Sequence, residues 1–185
     1  MKKWGLLSLI SFFVLAVFAL FALGSGETTE PERVETESPV ADEAVEDEPA
    51  DTAEIYTIGD TVKMGDLIFT VNSARWDEGS DYIHPEAGEK WLVFDCSVEN
   101  IGEDSDVISS MMMFVLYDEE NYSRDVEFFA DTKGSLDGEL GSGRTMRGEI
   151  AFAVEDWQNK WEFIFQPNIF GFGQAIYQVS IDDID

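Results

Sequence analysis

Three stretches with different patterning divide the chain. Trp4 to Leu23 is a run of twenty residues without a charge, apolar on every face. As a helix rising about 1.5 Å per residue it would reach about 30 Å, the thickness of a bilayer's hydrocarbon core. A helix apolar all round suits lipid better than a protein surface. Residues 25–53 follow, with 11 acids, one Arg, three Pro and no aromatic residue. So little apolar surface and so much like charge cannot offset the entropy of ordering, so a disordered acidic linker is expected.

From Ile55 onward apolar and polar positions alternate with period two between turn residues, which is strand patterning. Thr61–Met64 and Leu67–Trp76 are predicted strands, the second with Leu67, Phe69 and Val71 on one face. Glu89–Asn100 is the clearest, with Leu92, Phe94, Cys96 and Val98 inward. Val107–Tyr117, which includes Met111, Met112 and Met113, is apolar on both faces and reads as a central strand covered twice. Asp118–Tyr122 reads as a hairpin turn, Ser123–Ala130 as the returning strand with Val126 and Phe128, and Gly134–Gly143 as a Gly-rich connection. Thr145–Val154 turns Met146, Ile150, Phe152 and Val154 inward and Arg147 and Glu149 outward. Trp161, Phe163 and Phe165 mark another strand, and Tyr177, Val179 and Ile181 the last. No stretch has helical periodicity of useful length. Seven to nine short strands indicate a sandwich or a barrel, and the alternating aromatics of Trp161–Phe165 suit a core between two sheets.

Charge separates the parts further. Residues 54–185 carry 28 acids against 8 bases, a net of −20, and the whole chain −28. Such a surface repels nucleic acid and anionic headgroups, so no nucleic-acid partner is expected. Lys2 and Lys3 precede the apolar run and an acidic stretch follows it, which places the N-terminus in the cytoplasm and everything after Gly24 outside. Ala22-Leu23-Gly24 has the small-x-small form of a signal peptidase site, yet the run exceeds the roughly 7–15 residues of a signal peptide. An uncleaved anchor through residues 4–23 is therefore favoured over secretion after cleavage at Gly24. Cys96 is the single cysteine, so no lipid-bearing Cys follows the run and no internal disulfide can form. The core must hold the fold unaided.

Chemistry is sparse. His84 is the only His, in a polar loop, so neither a two-His zinc site nor a supported Ser-His-Asp arrangement is available. Gly141-Ser142-Gly143 lacks the spacing of a nucleophile elbow, and Gly24-Ser25-Gly26 and Gly171-Phe172-Gly173 lack the third glycine of a dinucleotide site. Cys96 falls on an inward face, where a thiol is a small hydrophobe rather than a nucleophile. Three acidic loop clusters have the oxygens that calcium takes: Asp77, Glu78 and Asp81; Glu103, Asp104 and Asp106; Asp118, Glu119 and Glu120. None matches the twelve-residue calcium loop, and solvated acidic faces explain them more simply. Phe170 and Phe172, between glycines, are candidate partner anchors or caps on the end of the sandwich. No cofactor is expected.

Four segments in order carry a resemblance: Ile58-Gly59-Asp60-Thr61-Val62; Phe69-Thr70-Val71-Asn72-Ser73-Ala74; Lys90-Trp91-Leu92-Val93-Phe94-Asp95 leading to Glu99-Asn100-Ile101-Gly102; and Leu140 to Val154. With them residues 55–182 resemble a bacterial family of exported domains of unknown function with a telokin-like, immunoglobulin-like fold, in the structural group of a mycobacterial secreted immunoprotective antigen. The chain departs from the family in Ser142 and Glu155, where relatives often have Pro, and in Ser25-Gly26, where many have a lipid-anchor Cys. The resemblance implies an anchor, a spacer and a sandwich, and no catalytic residues.

The expectation is thus all-β: residues 54–185 form an immunoglobulin-like antiparallel β-sandwich, after an N-terminal hydrophobic helix (1–24) and the disordered linker (25–53). Its expected role is a non-catalytic interaction or structural domain, membrane-tethered and facing outside, with another envelope or extracellular protein as partner. A calcium or small-ligand module using the acidic loops is the alternative. A net of −20 on residues 54–185 also makes the fold self-repelling, and screening shortens the reach of that repulsion from about 30 Å at 0.01 M salt to about 3 Å at 1 M. The melting temperature should climb from low to molar salt, and a flat profile would contradict this.

Overall fold

The computed structural model describes residues 32–33, 54–167 and 173–185. The hydrophobic run at 4–23 and the candidate anchors Phe170 and Phe172 lie outside the described residues, as does the linker except Glu32–Arg33. Among the described residues thirteen strands run in chain order: β1 (Glu32–Arg33), β2 (Ile55–Tyr56), β3 (Thr61–Met64), β4 (Leu67–Asp77), β5 (Glu89–Asn100), β6 (Asp106–Ile108), β7 (Phe114–Asp118), β8 (Ser123–Arg124), β9 (Val126–Glu127), β10 (Gly138–Leu140), β11 (Thr145–Glu155), β12 (Lys160–Phe165) and β13 (Ala175–Ser180). One turn of helix, α1 (Ser110–Met113), precedes β7, and a 3-10 turn at Ile181–Asp183 follows β13. A six-stranded sheet, β1-β3-β4-β5-β11-β9, faces a five-stranded sheet, β2-β13-β12-β7-β8, and β10 pairs with β6 as a ribbon. Pairing is antiparallel except where β2 lies parallel to β13.

The alternation read from the sequence is what the sheets bury. Leu92, Phe94, Cys96 and Val98 on β5 and Ile150, Phe152 and Val154 on β11 all enter one core. On β4, Leu67, Phe69 and Val71 point inward, then the register slips between Val71 and Ser73. This bulge turns Ala74 and Trp76 to the side that Leu67 to Val71 occupy, because one extra residue shifts a two-residue period. Between the sheets the contacts are aromatic. Phe163 of β12 stacks on Phe94 of β5, with centroids 4.3 Å apart and planes 6° from parallel. It also meets Phe152 edge-on and Phe114 face-on, both at 5.8 Å. Phe69 stacks on Phe165 at 4.3 Å and meets Tyr177 edge-on at 5.5 Å.

Three places in this part of the chain differ from the sequence expectation. Val107–Tyr117 is not one doubly covered strand: β6 joins the ribbon, α1 turns the chain, and β7 enters the five-stranded sheet. Met113 is buried but Met111 and Met112 are exposed on α1. An apolar run shows neither which sheet it enters nor, as Met111 and Met112 demonstrate, that every residue in it is buried, so a mid-run change of sheet leaves no periodic trace. Ser123–Ala130 likewise divides, β8 pairing with β7 and β9 crossing to β11 in the other sheet. Phe128 therefore points to solvent. Ile181 begins the 3-10 turn instead of ending β13.

After β9 the chain crosses the outer face of the six-stranded sheet as a strap, residues 128–137. Ala130 of the strap packs with Trp91, Val93 and Ala151 beneath it as a second, small core, so β5 is buried on both faces there. The strap returns onto β11 at a bridge between Gly134 and Gly148, and Glu149 N donates to Lys133 O at 2.8 Å. A β-carbon on Gly148 would lie 2.6 Å from the Ser135 carbonyl carbon, closer than packed atoms come. Gly148→Ala should lower stability by about 1–3 kcal/mol through overpacking, read as a fall in the urea midpoint. An unchanged midpoint would mean that the strap yields freely.

Candidate functional site

Polar side chains at two places fix the loops of the sandwich. On the outer face of the six-stranded sheet, Arg75 donates to Glu149 Oε2 at 2.8 Å and to Asp131 O of the strap at 2.7 Å. Arg147 grips Asp95 with both guanidinium arms, its Nε at 2.9 Å. The Arg147 hydrogen bonds hold the Asp95 carboxyl below the usual carboxylate range, against the opposing effect of burial. The strap is thus hydrogen-bonded at both its backbone and its side-chain neighbours.

The second place is the β7–β8 hairpin. Asp118 is buried, and its carboxylate accepts five hydrogen bonds. Arg124 Nε and Nη2 give 3.0 and 2.6 Å, Gln158 Nε2 gives 2.9 Å, and the Glu120 and Tyr122 amides 2.9 Å each. Burial pushes the Asp118 carboxyl upward, but the Tyr122, Gln158, Arg124 and Glu120 bonds together outweigh it and hold it below the usual carboxylate range. Asn121 at the tip takes φ +65°, a left-handed turn conformation that Asn tolerates. A polar groove of about 460 Å³ runs beside this hairpin, lined by Asn121, Lys160, Glu162, Gln178 and Asp183 among others. Its acids are largely engaged: Glu119 accepts from Asn159 N and Asp183 from Ser180.

Four connections leave the sandwich at the end where β4 and β7 finish: the loop 78–88, the β7–β8 hairpin, the start of the strap and the β11–β12 hairpin 156–159. Hydrogen bonds make them neighbours. Asp156 N donates to Gly88 O, Asn159 N to Glu119 Oε1, and Asp131 N to Asp77 Oδ2 at 2.8 Å. Large aromatics stand out from them: Tyr82 is 93% exposed, Phe129 70%, Phe128 64% and Trp157 54%. These residues are held by local bonds. Ser80 N donates to Ile83 O at 2.6 Å, Ser80 Oγ accepts from Ile83 N, Gly79 N donates to Asp77 Oδ1, and Phe129 N donates to Glu127 Oε1 at 2.7 Å. A cleft of about 410 Å³ opens at this end between Trp76, Asp77, Glu78, His84, Pro85, Glu89 and Lys90. Lys90 Nζ lies 5.1 Å above the Trp76 ring. Sequence reasoning missed this set. A signal was present, since Phe128 and Phe129 are consecutive and a strand cannot turn both toward one core.

Among the acidic clusters, Asp77 is engaged by Gly79 N and Asp131 N, and Asp106 Oδ1 accepts from Val107 N. Glu78, Asp81, Glu103, Asp104 and Glu120 have exposed side chains. Among the described residues no group of three His, Cys, Asp or Glu side chains converges on a point that could hold a metal ion. His84 is exposed, with Nδ1 2.9 Å from Pro85 O. Cys96 is wholly buried, and burial, with Asp95 adjacent, pushes its thiol well above the ordinary range. No described helix is long and apolar enough to cross a membrane.

Comparison with known proteins agrees with this architecture. Residues 56–176 match the family model described as a domain of unknown function, DUF4352. Over 147 residues the chain is 26% identical to the uncharacterized lipoprotein YjhA of Bacillus subtilis, covering 71% of this chain and 68% of YjhA. The crystal structure of the yjhA protein superposes with a TM-score of 0.52 at 20% identity, over 68% of this chain and 99% of that one. The ycdA protein of Bacillus subtilis superposes with a TM-score of 0.52 at 16% identity over 63% of this chain, which spans only 37% of ycdA. MPT63, a secreted protein of Mycobacterium tuberculosis, superposes with a TM-score of 0.48 at 15% identity, over 69% of this chain and 99% of that one.

The Asp118 nest makes an acid-stability prediction. Its folded value is held below the usual carboxylate range, so the stabilisation is fully present above the unfolded value and is lost as pH falls through the folded one. Asp118→Asn should lower stability at pH 7 by about 1–3 kcal/mol and lessen the loss of stability between pH 4 and pH 2, followed by denaturant titration across pH. Equal acid sensitivity in both proteins would refute the assignment.

Proposed function

Since the chain belongs to the DUF4352 family, we propose that it is an exported domain, displayed at the cell envelope, that works by binding another protein rather than by catalysis. Support for export comes from the charge-free run Trp4–Leu23 behind Lys2 and Lys3, and from the lipoprotein relative YjhA. With its single Cys buried in the sandwich, this chain would be tethered by the apolar helix and not by a lipid. The acidic stretch 25–53 would then be the spacer, except at Glu32–Arg33, which pair with β3 and so depart from the expectation of a wholly disordered linker.

The observation that carries the binding reading is the loop end with Tyr82, Phe128, Phe129 and Trp157. Aromatic side chains at these exposures forgo burial worth about 1.5–3 kcal/mol each, and loops held by local hydrogen bonds lose little entropy when a partner arrives. Large rings on ordered loops are how rigid scaffolds present binding anchors. Catalysis has no comparable support, since His84 is solitary and Cys96 is sealed.

Two measurements test this. Protease added outside intact cells or spheroplasts should digest residues 54–185 while cytosolic markers survive; full protection would refute export. Phe128→Ser with Phe129→Ser should change stability by no more than about 0.5 kcal/mol, as surface changes do, and should abolish the photo-crosslinked adduct formed from a probe at position 157 on intact cells. A persistent adduct would place the binding surface elsewhere.

A further inference from the structure

The aromatic end is also acidic. Glu78, Asp81, Glu120 and Asp156 are exposed on the same four connections as the rings. Of the cations beside them, Arg124 is bound to Asp118 at 2.6 Å and Lys90 lies over the Trp76 ring at 5.1 Å, while Lys160, next to Asn159, is exposed and lines the groove beside the hairpin. A partner that buried the rings with an acidic or neutral surface would strand these carboxylates without compensation, which is costly. A partner carrying guanidinium groups would satisfy both features. Arginine lays its planar face on an aromatic ring while its N–H edge donates to carboxylates. Lys90 over Trp76 shows a cation on an aromatic face already in place beside the cleft that Glu78 and His84 line.

We propose that the end of the sandwich bearing Tyr82, Phe129 and Trp157 docks an arginine-rich, cationic polypeptide segment. This rests on the binding role proposed above and specifies its partner by chemistry. The rings supply the apolar and cation–π contact, and the surrounding carboxylates supply register and the attraction that speeds encounter. Neutral glycans also stack on aromatic rings, but they leave the carboxylates without a counter-charge, so the acidic setting favours the cationic chain.

The test uses the full chain in detergent micelles at 150 mM salt, with fluorescently labelled decaarginine, decalysine and a neutral hexasaccharide of glucose as probes. Polarisation should show decaarginine binding several-fold tighter than decalysine and no binding of the hexasaccharide. Tyr82→Ser/Phe129→Ser/Trp157→Ser should weaken decaarginine binding about tenfold or more, as loss of a central anchor does. Met111→Ser/Met112→Ser, at the opposite end of the sandwich, should leave it unchanged, both variants melting like the parent. If both variants bind decaarginine equally, the attraction is diffuse charge and the proposal falls. Hexasaccharide binding lost in the triple variant, without decaarginine binding, would overturn the cationic partner and keep the surface. An in-cell adduct from position 157 that survives these outcomes separates failure of the partner chemistry from failure of the binding role.

Discussion

Phe163 sits where the two sheets meet, against Phe94 and Phe152 of one and Phe114 of its own, and most of the structure depends on that contact. No disulfide joins the sheets, and the folded part of the chain repels itself with a net of −20. Cohesion must come from apolar burial, which for a Phe side chain is worth about 1.5–3 kcal/mol. Offset and edge-on ring pairs add about 0.5–1.5 kcal/mol beyond area. Phe69, Phe165 and Tyr177 extend the same cluster toward β13, so the aromatic layer spans the sandwich. Loops can then vary in shape without threatening the fold.

The polar devices have a different task. Arg75–Glu149 and Arg147–Asp95 are partly or wholly exposed, and exposed pairs contribute at most about 1 kcal/mol. Their value is positional. Arg75 and Glu149 also bond the strap backbone at Asp131 and Lys133, and Asp118 organises a whole hairpin from within. Each carboxylate thereby orders a connection that has no core of its own. The rings on those connections are presented from a defined backbone, as a binding platform requires.

Much of this was legible in the residues. The bounds of Glu89–Asn100 and the inward set on Thr145–Val154 follow from strict alternation, because burial on one face fixes register. What alternation could not convey was long-range. Trp91 and Val93 occupy positions of β5 that face away from the main core, and only the strap, about forty residues later, buries them. The change of sheet within Val107–Tyr117 is invisible for the same reason. Gly148 held a clue, since a glycine inside a long strand marks a close backbone approach. Asp118 drew attention as an acid beside two others, whereas its use depends on Gln158, forty residues away.

Cys96 gives the molecule a property of its own. The thiol has no accessible surface and lies in the middle of β5, paired on both sides by β4 and β11. Local fraying of loops or hairpins leaves it covered, so a thiol reagent reaches it only when the sandwich opens as a whole. In an oxidising exterior this shields the chain from accidental cross-linking with other thiols. It also makes the single sulfur atom an internal clock: its alkylation rate measures how often the entire fold comes apart, and a partner that binds only the folded loops would slow it.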